Sequence, residues 1–350
     1  METDLIVNHR RRMPELDDLA QEEKDARFRR IATKALAQYG LEPEELTFLF
    51  HSDGITYKVE AKNTSNAYLL RIHTNVGAHF SELFYKRAGI QSPLIWQSAL
   101  SEQTSLTVQI PVRTVSDELI SEVQNDSQGD SPFLCTLVTW VPGSERDLES
   151  RDQARELGKI TGIMHRHAVS WESPSGFLRA EWDASQTFGY LHELRPYVKQ
   201  GGRVSPTVYS LAERACEKVA KMMTDIPKTK TTWGLIHGEL GWFGNCIYQD
   251  GIGTPIDFNG CAFGHYMHDL AKLIWWVRED FRQDILDAYR EQMSLPDDYL
   301  EQLLTFYMAE MMFRTGTRAQ VDLDIIMPDT AEGQLTAGLR GEHDFLFEPP

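Results

Sequence analysis

The chain has 350 residues, of which 41% are hydrophobic and 25% charged, and its formal net charge at pH 7 is −17. This composition suits a globular protein that can bury a real core, and no apolar run approaches the roughly 18 residues that a membrane-spanning helix needs. The negative charge argues against nucleic acid as the main partner, because a nucleic-acid binder needs a basic face to displace counterions. It is compatible with a cationic substrate.

The N-terminus and the cysteines predict a cytoplasmic protein. The basic cluster Arg10–Arg12 has no apolar segment behind it, so a secretory signal is not expected there. The four cysteines, Cys135, Cys216, Cys246 and Cys261, show neither CxxC pairing nor metal-finger spacing. Reduced thiols in the cytoplasm are the simplest interpretation.

The first part of the chain opens with a helix and continues with strand-like runs. Residues 15–39 are polar and helix-prone, and Gly40 is suited to end that helix. Residues 51–54 contain Asp-Gly, which is a strong signal for a reversal between two strands. Strands are predicted at Leu46–Phe50, Thr56–Ala61, Ala67–His73, Leu106–Ile110 and Phe133–Val141.

The pattern changes after Pro142-Gly143. Before that point a helix is predicted at Ser81–Ala88, ending at Gly89, and the polar stretch Ser121–Ser131 is predicted to be a surface loop. After it, apolar residues recur mainly at helical spacing, and strand-like sequence returns only around residues 234–257. A β-rich first part and a helix-rich second part predict an α+β protein with two segregated lobes.

The stretch from His237 to Asp257 carries the strongest chemical signal. Asn245 and Asp257 lie at equal distances from Gly251, so a hairpin centred near that residue is expected to bring them side by side. Two oxygen-bearing side chains there suit Mg²⁺, which takes one or two carboxylates together with substrate phosphates. Glu239, in the preceding glycine-rich loop, adds a carboxylate that can orient an attacking hydroxyl, and phosphoryl transfer needs little more.

These residues resemble a known family. His237-Gly238-Glu239, Asn245 and Ile256-Asp257-Phe258 are similar to the catalytic loop and metal-binding motif of the aminoglycoside phosphotransferase / choline kinase-like family, which is related to eukaryotic-type protein kinases. The resemblance implies a bilobal, protein-kinase-like fold. Residues 1–143 would form an N-terminal helix and a small β-rich nucleotide-binding lobe, and residues 144–350 a larger helical lobe with the catalytic loop, metal site and acceptor pocket.

Other segments are similar to the same family in the same order along the chain. Tyr68–His73 resembles its Leu-Arg-x-His strand, which puts Arg71 where kinases have a phosphate-binding lysine, with Glu82 as the implied helix partner. Each match alone is weak, whereas their order is specific. The residues implied to bind nucleotide are Ser52, Asp53 and Gly54 in a covering turn, Arg71 and Glu82, and Thr139 and Val141 in the hinge.

Two departures from the family pattern concern catalysis. The family's catalytic aspartate is a glutamate here, Glu239, and the loop from Glu239 to Asn245 is one residue longer than usual. A longer side chain on a longer loop re-aims a working carboxylate, or else marks a protein that has lost efficient transfer. Both interpretations stay open at this stage.

Several residues also have structural interpretations. We interpret His237 as a hydrogen-bonding organiser of the loop rather than a base, and Asp269 as a helix N-cap. The alternative for Arg71 is a surface ion pair, and for Glu82 a solvated helix carboxylate. Trp275-Trp276 and Met308–Met312 are interpreted as core or as the wall of a substrate pocket.

The sequence therefore predicts an ATP-dependent phosphotransferase. It would move the γ-phosphoryl group to a hydroxyl of a small molecule, such as an amino alcohol, a sugar or an aminoglycoside-like compound, with ATP and Mg²⁺ as cofactors. Glu239 would act on the hydroxyl, and Asn245 and Asp257 would hold the metal. The alternative is a divergent pseudokinase or nucleotide-binding module. A protein Ser/Thr kinase is disfavoured, because no Ala-Pro-Glu-like segment follows Asp257.

Overall fold

The computed structural model divides the chain into two compact units. One comprises residues 1–142 with 174–178, and the other residues 143–173 with 179–350. None of the described helices is long and apolar enough to cross a membrane. The structure describes residues 21–51, 54–62, 64–74, 83, 86–124, 131–143, 150–198, 204–241, 245–320 and 331–347.

Within the residues described above, the first unit consists of a five-stranded antiparallel sheet and two helices. Its strands are ordered β1-β2-β3-β5-β4, so β3 is central and β1 is an edge. The elements are α1 (Gln21–Gln38), β1 (Pro43–His51), β2 (Gly54–Ala61), β3 (Ala67–His73), α2 (Arg87–Gln103), β4 (Ile120–Val123) and β5 (Phe133–Thr139).

Helix α1 packs on one face of this sheet because its apolar residues follow helical spacing. Leu36 and Ala35 are fully buried, and Ile55, Tyr57 and Val59 alternate along β2 so that all three face the core. Gly40 ends the helix with a φ of 71°, which agrees with the sequence prediction.

Three sequence predictions for this unit are wrong. The helix predicted at Ser81–Ala88 does not end at Gly89, because α2 runs from Arg87 to Gln103, with Gly89 in its first turn and Pro93 inside it; most of residues 81–86 lie outside the described residues. The prediction put a helix end at Gly89; glycine and proline are both poor helix formers. Burial of an apolar face that includes Trp96 and Leu100 outweighs their poor helix propensity.

The other two errors concern short strands. Leu106–Ile110 is not a strand; Ile110 exchanges hydrogen bonds with Thr139, and a single bridge joins Pro111 to Val138. The loop predicted at Ser121–Ser131 begins inside β4, whose four residues are too few for an alternating pattern to stand out.

The second unit is mainly helical, with two short antiparallel strand pairs, β6 with β9 and β7 with β8. Three helices begin at side-chain caps provided by Ser150, Asp183 and Ser205, whose oxygens accept backbone N–H groups of the first turn. Its elements are α3 (Arg151–Ser170), α4 (Ala184–Leu194), α5 (Pro206–Asp225), β6 (Trp233–Ile236), β7 (Cys246–Gln249), β8 (Ile252–Pro255), β9 (Ala262–His265), α6 (Tyr266–Trp276), α7 (Glu279–Arg290), α8 (Tyr299–Gln320) and α9 (Ala331–Arg340).

The core of this unit lies among α5, α6, α8 and α9. Met308, Met311 and Met312 are buried there, so this run is core. Trp275 is partly buried against the same cluster, with its ring centroid 4.8 Å from that of Tyr307.

Helices α3 and α7 approach closely through glycine. A Cβ atom built on Gly158 would lie 2.2 Å from the carbonyl oxygen of Ile285, and one built on Gly162 would lie 2.6 Å from Cβ of Gln292. Side chains at these positions would force the helices apart, because backbone atoms cannot move aside as a flexible side chain can.

We therefore expect Gly158→Ala to destabilise the fold by about 2 kcal/mol, in the range of other overpacking substitutions. Gly189→Ala is the matched control, since Gly189 is also helical and a Cβ there meets no described atom within 4 Å. That control should gain up to about 1 kcal/mol from helix propensity. Denaturant unfolding measures both, and equal effects would contradict the packing argument.

Candidate active site

The β7–β8 hairpin has a different register from the one predicted by counting from Gly251. Asp250 and Gly251 form a two-residue turn with φ angles of 52° and 82°, as in a type I′ turn. Cys246 therefore pairs with Pro255, and the N–H of Ile256 donates to the carbonyl oxygen of Asn245 at 2.9 Å. Asn245 lies opposite Ile256, one residue before Asp257.

Asp257 lies two residues beyond the end of β8. Its backbone is left-handed, with φ 55° and ψ 59°, and the turn Phe258–Gly260 follows it. Nδ2 of Asn259 donates to Oδ1 of Asp257 at 3.0 Å. A left-handed non-glycine residue costs on the order of 1–2 kcal/mol, and such strain concentrates at functional sites.

Asp269 anchors the loop that contains Glu239. Its carboxylate accepts the backbone N–H groups of His237 at 3.1 Å and Gly238 at 2.8 Å, and it lies 3.1 Å from Nε2 of His165. Burial acts to raise the pKa of Asp269, but the hydrogen bond from His165, the neighbouring histidines and the Gly238 N–H together lower it. The interpretation of Asp269 as an N-cap is wrong, because it lies inside α6 and caps the loop instead.

His165 connects this carboxylate to α7. Its Nδ1 lies 3.0 Å from the hydroxyl of Tyr289, and the close packing of α3 on α7 brings the two side chains together. Tyr289, His165 and Asp269, which are connected by these hydrogen bonds, are all buried.

His237 joins the loop to the hairpin. Its Nε2 lies 3.0 Å from the carbonyl oxygen of Ile256, and its Nδ1 accepts the N–H of Glu239 at 3.3 Å. Burial lowers the pKa of His237, which favours the neutral ring with the proton on Nε2. These contacts support the interpretation of His237 as an organiser of the loop.

The backbone of Glu239 is held by a hydrogen bond from Asn245, and its charge lies within electrostatic reach of Arg179. Nδ2 of Asn245 donates to the Glu239 carbonyl oxygen at 2.9 Å. Arg179 donates from its guanidinium to the carbonyl oxygens of Asn259 and Cys261. Burial lowers the pKa of Arg179, and the charge of Glu239 opposes that effect, so the two charged groups lie within electrostatic reach. Sequence reasoning missed Arg179, because a lone arginine carries no motif.

The side-chain amide of Asn245 is oriented by a hydrogen bond. Its nitrogen donates to the Glu239 carbonyl, so Oδ1 is the atom that can bind a cation, and Asp257 is the other residue predicted to bind it. Within the described residues no group of three His, Cys, Asp or Glu side chains could hold a metal. An amide oxygen and a carboxylate fit Mg²⁺ bound to nucleotide phosphates, which supply the remaining ligands.

Two of the predicted nucleotide-binding residues are adjacent in the first unit. A Cβ built on Gly54 would lie 3.3 Å from Cγ of Arg71, so the start of β2 passes beside the arginine stem. Arg71 pairs with Thr56 and Thr136 on the neighbouring strands. Ser52, Asp53 and Glu82 lie outside the described residues.

The predicted hinge follows β5, and its first residue already makes internal hydrogen bonds. The N–H of Thr139 donates to the carbonyl oxygen of Ile110 at 2.9 Å, and its own carbonyl oxygen accepts from Nε2 of Gln109 at 3.2 Å. The N–H of Trp140 donates to Ala67. Val141 is the next residue along the hinge.

Comparison with known proteins identifies the family. Residues 56–302 match the sequence profile of the phosphotransferase enzyme family. The chain belongs to this family. No curated protein matches the chain.

Solved structures of small-molecule kinases share the fold of this family member. An amicoumacin kinase in complex with AMP-PNP, Ca²⁺ and Ami has a TM-score of 0.70 at 20% identity, covering 93% of this chain and 96% of that one. A microcompartment-associated aminopropanol kinase has a TM-score of 0.68 at 22% identity, covering 90% and 95%. Spectinomycin phosphotransferase APH(9)-Ia, in complex with ADP and spectinomycin, has a TM-score of 0.58 at 12% identity, covering 89% and 92%. The predicted α+β, kinase-like fold is confirmed.

This phosphotransferase-family chain also contains a buried ion pair that sequence reasoning missed. Nζ of Lys272 lies 3.7 Å from Oε2 of Glu310 and above the rings of Trp182 and Phe313, at 3.3 and 4.4 Å from their centroids. The pair joins α6 to α8. Its partners are far apart in sequence, and neither belongs to a recognisable motif.

We expect Asp269→Asn to destabilise the protein by about 3 kcal/mol at pH 7, because an amide cannot accept from all three donors and buried hydrogen bonds to charged groups are strong. The pKa of Asp269 is lowered on folding, so its contribution is present above the ordinary carboxyl pKa and is lost as the pH falls. The difference from wild type should therefore shrink below about pH 4.

Asp225→Asn is the control, since Asp225 forms an exposed ion pair with Lys221. It should change the unfolding free energy by less than about 1 kcal/mol. Denaturant unfolding across this pH range tests both variants. If Asp269→Asn behaves like the control at pH 7, Asp269 does not anchor the loop energetically.

Proposed function

We propose that the protein transfers the γ-phosphoryl group of ATP to a hydroxyl group of a small molecule. The supporting observation is the joining of the catalytic loop to the hairpin. The Asn245 side chain binds the Glu239 carbonyl, and His237 contacts both the Glu239 N–H and the Ile256 carbonyl. These bonds gather Glu239, Asn245 and the end of β8 in one place, as phosphoryl transfer requires.

In this proposal Glu239 accepts a hydrogen bond from the acceptor hydroxyl and orients it toward the phosphate. Asn245 and Asp257 hold Mg²⁺ through Oδ1 and the carboxylate. When bound, the metal neutralises charge on the phosphates. Arg179 lies within electrostatic reach of Glu239.

We assign nucleotide binding to the first unit. Arg71 contacts phosphate with its two-pronged guanidinium, beside a covering turn of Ser52, Asp53 and Gly54. Glu82 is its proposed partner. We propose that adenine binds the backbone of Thr139 and Val141. At Thr139 only the carbonyl oxygen can take part, through a second acceptor bond beside the one from Gln109, because the N–H is used internally.

The acceptor class follows from the similar structures and the charge. An aminopropanol kinase and a spectinomycin phosphotransferase support an amino alcohol, sugar or aminoglycoside-like acceptor, and a net charge of −17 is compatible with a cationic one. We propose that the protein works in the cytoplasm, since its four cysteines are all buried free thiols.

A second candidate is a pseudokinase that binds nucleotide without efficient transfer. The observation in its favour is Glu239 on a loop one residue longer than the family pattern. Turnover measurements separate it from the first proposal.

Metal binding is tested by Asp257→Asn against Asp250→Asn. Both residues belong to the same hairpin segment and both have positive φ angles, so the substitution perturbs the backbone similarly. ATP with Mg²⁺ should raise the Tm of wild type, because a ligand that binds only the folded state stabilises it. Asp257→Asn should increase the Mg²⁺ concentration needed by about tenfold or more, since a charged ligand is lost. Asp250→Asn should match wild type, and no shift with ATP in wild type would contradict nucleotide binding.

Catalysis is tested by Glu239→Gln. With an acceptor found by screening amino alcohols, sugars and aminoglycosides for ATP turnover, kcat should fall by about 10²- to 10⁴-fold, the usual contribution of a general base. The Kd for ATP should stay unchanged. Equal kcat values would remove Glu239 from its proposed role, and nucleotide binding without turnover in wild type would favour the pseudokinase.

A further inference from the structure

Gly260 lies directly against the side chain of Glu239. A Cβ atom built on Gly260 would be 2.5 Å from Oε2 of Glu239 and 2.8 Å from its Cδ and Cγ. These three atoms are the nearest neighbours of that position, and distances under 3.0 Å essentially never occur for a real Cβ. The carboxylate of Glu239 therefore occupies space that any other residue at position 260 would fill.

The backbone does not require glycine here. Gly238 has a φ of 81° and Gly251 a φ of 82°, whereas Gly260 is not among the described glycines with positive φ. An alanine at position 260 is therefore free of conformational strain. The Cβ atom of that alanine would instead clash with the Glu239 side chain.

The segment around Gly260 is fixed from both sides. Arg179 donates to the carbonyl oxygens of Asn259 and Cys261, which flank it. A Cβ built on Gly238 would lie 2.7 Å from the Gly260 carbonyl oxygen, so the catalytic loop packs against the same residue. Position 260 therefore has little freedom to withdraw, and a new methyl group there must displace the carboxylate.

We propose that Gly260 is a positioning residue that makes room for glutamate at position 239, where the family pattern has aspartate. Oε2 of Glu239, the atom nearest to the built Cβ, lies one bond further along the side chain than any atom of an aspartate, and the missing Cβ of Gly260 leaves the space for it. This inference rests on the proposed function, because it takes the Glu239 carboxylate to be the group that acts on the acceptor hydroxyl.

Gly260→Ala tests the idea in the full-length protein. Restoring ordinary van der Waals separation requires the carboxylate to move by about 1 Å, and such a misplacement lowers rates by up to about 100-fold. We expect kcat to fall between about tenfold and 100-fold. The KM for ATP should stay within about twofold, because the proposed nucleotide contacts lie elsewhere.

The second arm repeats the substitution in a Glu239→Asp background. An aspartate lacks the Oε2 atom that lies 2.5 Å from the added methyl group, but it keeps Cγ, which lies 2.8 Å away in Glu239, so the kcat penalty of Gly260→Ala should be smaller there by about threefold or more. This dependence on residue 239 is a non-additivity that a general structural role of Gly260 does not produce. Equal penalties in the two backgrounds, or an unchanged kcat for Gly260→Ala alone, would overturn the inference.

Stability provides a readout that does not need turnover. Gly260→Ala should lower the Tm with glutamate at position 239 and lower it less with aspartate. If wild type transfers phosphate to none of the acceptors, the proposed function fails, yet this comparison still decides whether Gly260 accommodates Glu239. If Gly260→Ala does not fold, recovery of folding in the double variant supports the inference, and failure to recover overturns it.

Discussion

The site depends first on one buried carboxylate. Burying Asp269 would cost several kcal/mol if its charge were left uncompensated, and three donors offset that cost. Two of them are the backbone N–H groups of His237 and Gly238, so the same interaction that makes the carboxylate tolerable also fixes the path of the loop. The positive φ of Gly238 belongs to that path. The side chain that follows, Glu239, is therefore placed by main-chain hydrogen bonds.

Further hydrogen bonds connect the Glu239 loop to the β7–β8 hairpin. The neutral ring of His237 links the loop to Ile256, and Asn245 binds the Glu239 carbonyl. Asp257 follows with a left-handed backbone, between Ile256, whose N–H donates to Asn245, and the turn Phe258–Gly260. The hairpin and the loop are thus one hydrogen-bonded assembly.

The sequence predicted features that depend on residues a few positions apart, and it did not predict contacts between residues far apart in the chain. The helix end at Gly40 and the reversal at Asp250-Gly251 follow from residue chemistry within a few positions. The one-residue offset of Asp257 follows from the two-residue turn at Asp250-Gly251, and counting from Gly251 alone missed it. The left-handed backbone of Asp257 could not be predicted, because motif spacing says nothing about it. The role of Asp269 depends on partners 31 and 32 residues away, and Arg179 reaches carbonyls about 80 residues away. The helix end predicted at Gly89 is wrong because tertiary burial along α2 overrode the propensities of glycine and proline.

The departures from the family pattern need not be independent losses. A glutamate simply substituted for aspartate would carry its carboxylate one methylene further, away from the position that we propose for the acceptor hydroxyl. Here the added length is taken up beside Gly260, where no Cβ obstructs it, and Arg179 holds the neighbouring carbonyls and lies within reach of the charge. A longer side chain folded back into such a space can end near the position that a shorter one reaches directly. The effect of having glutamate at position 239 therefore depends on having glycine at position 260, because the Glu239 side chain fills the space that a Cβ of residue 260 would occupy.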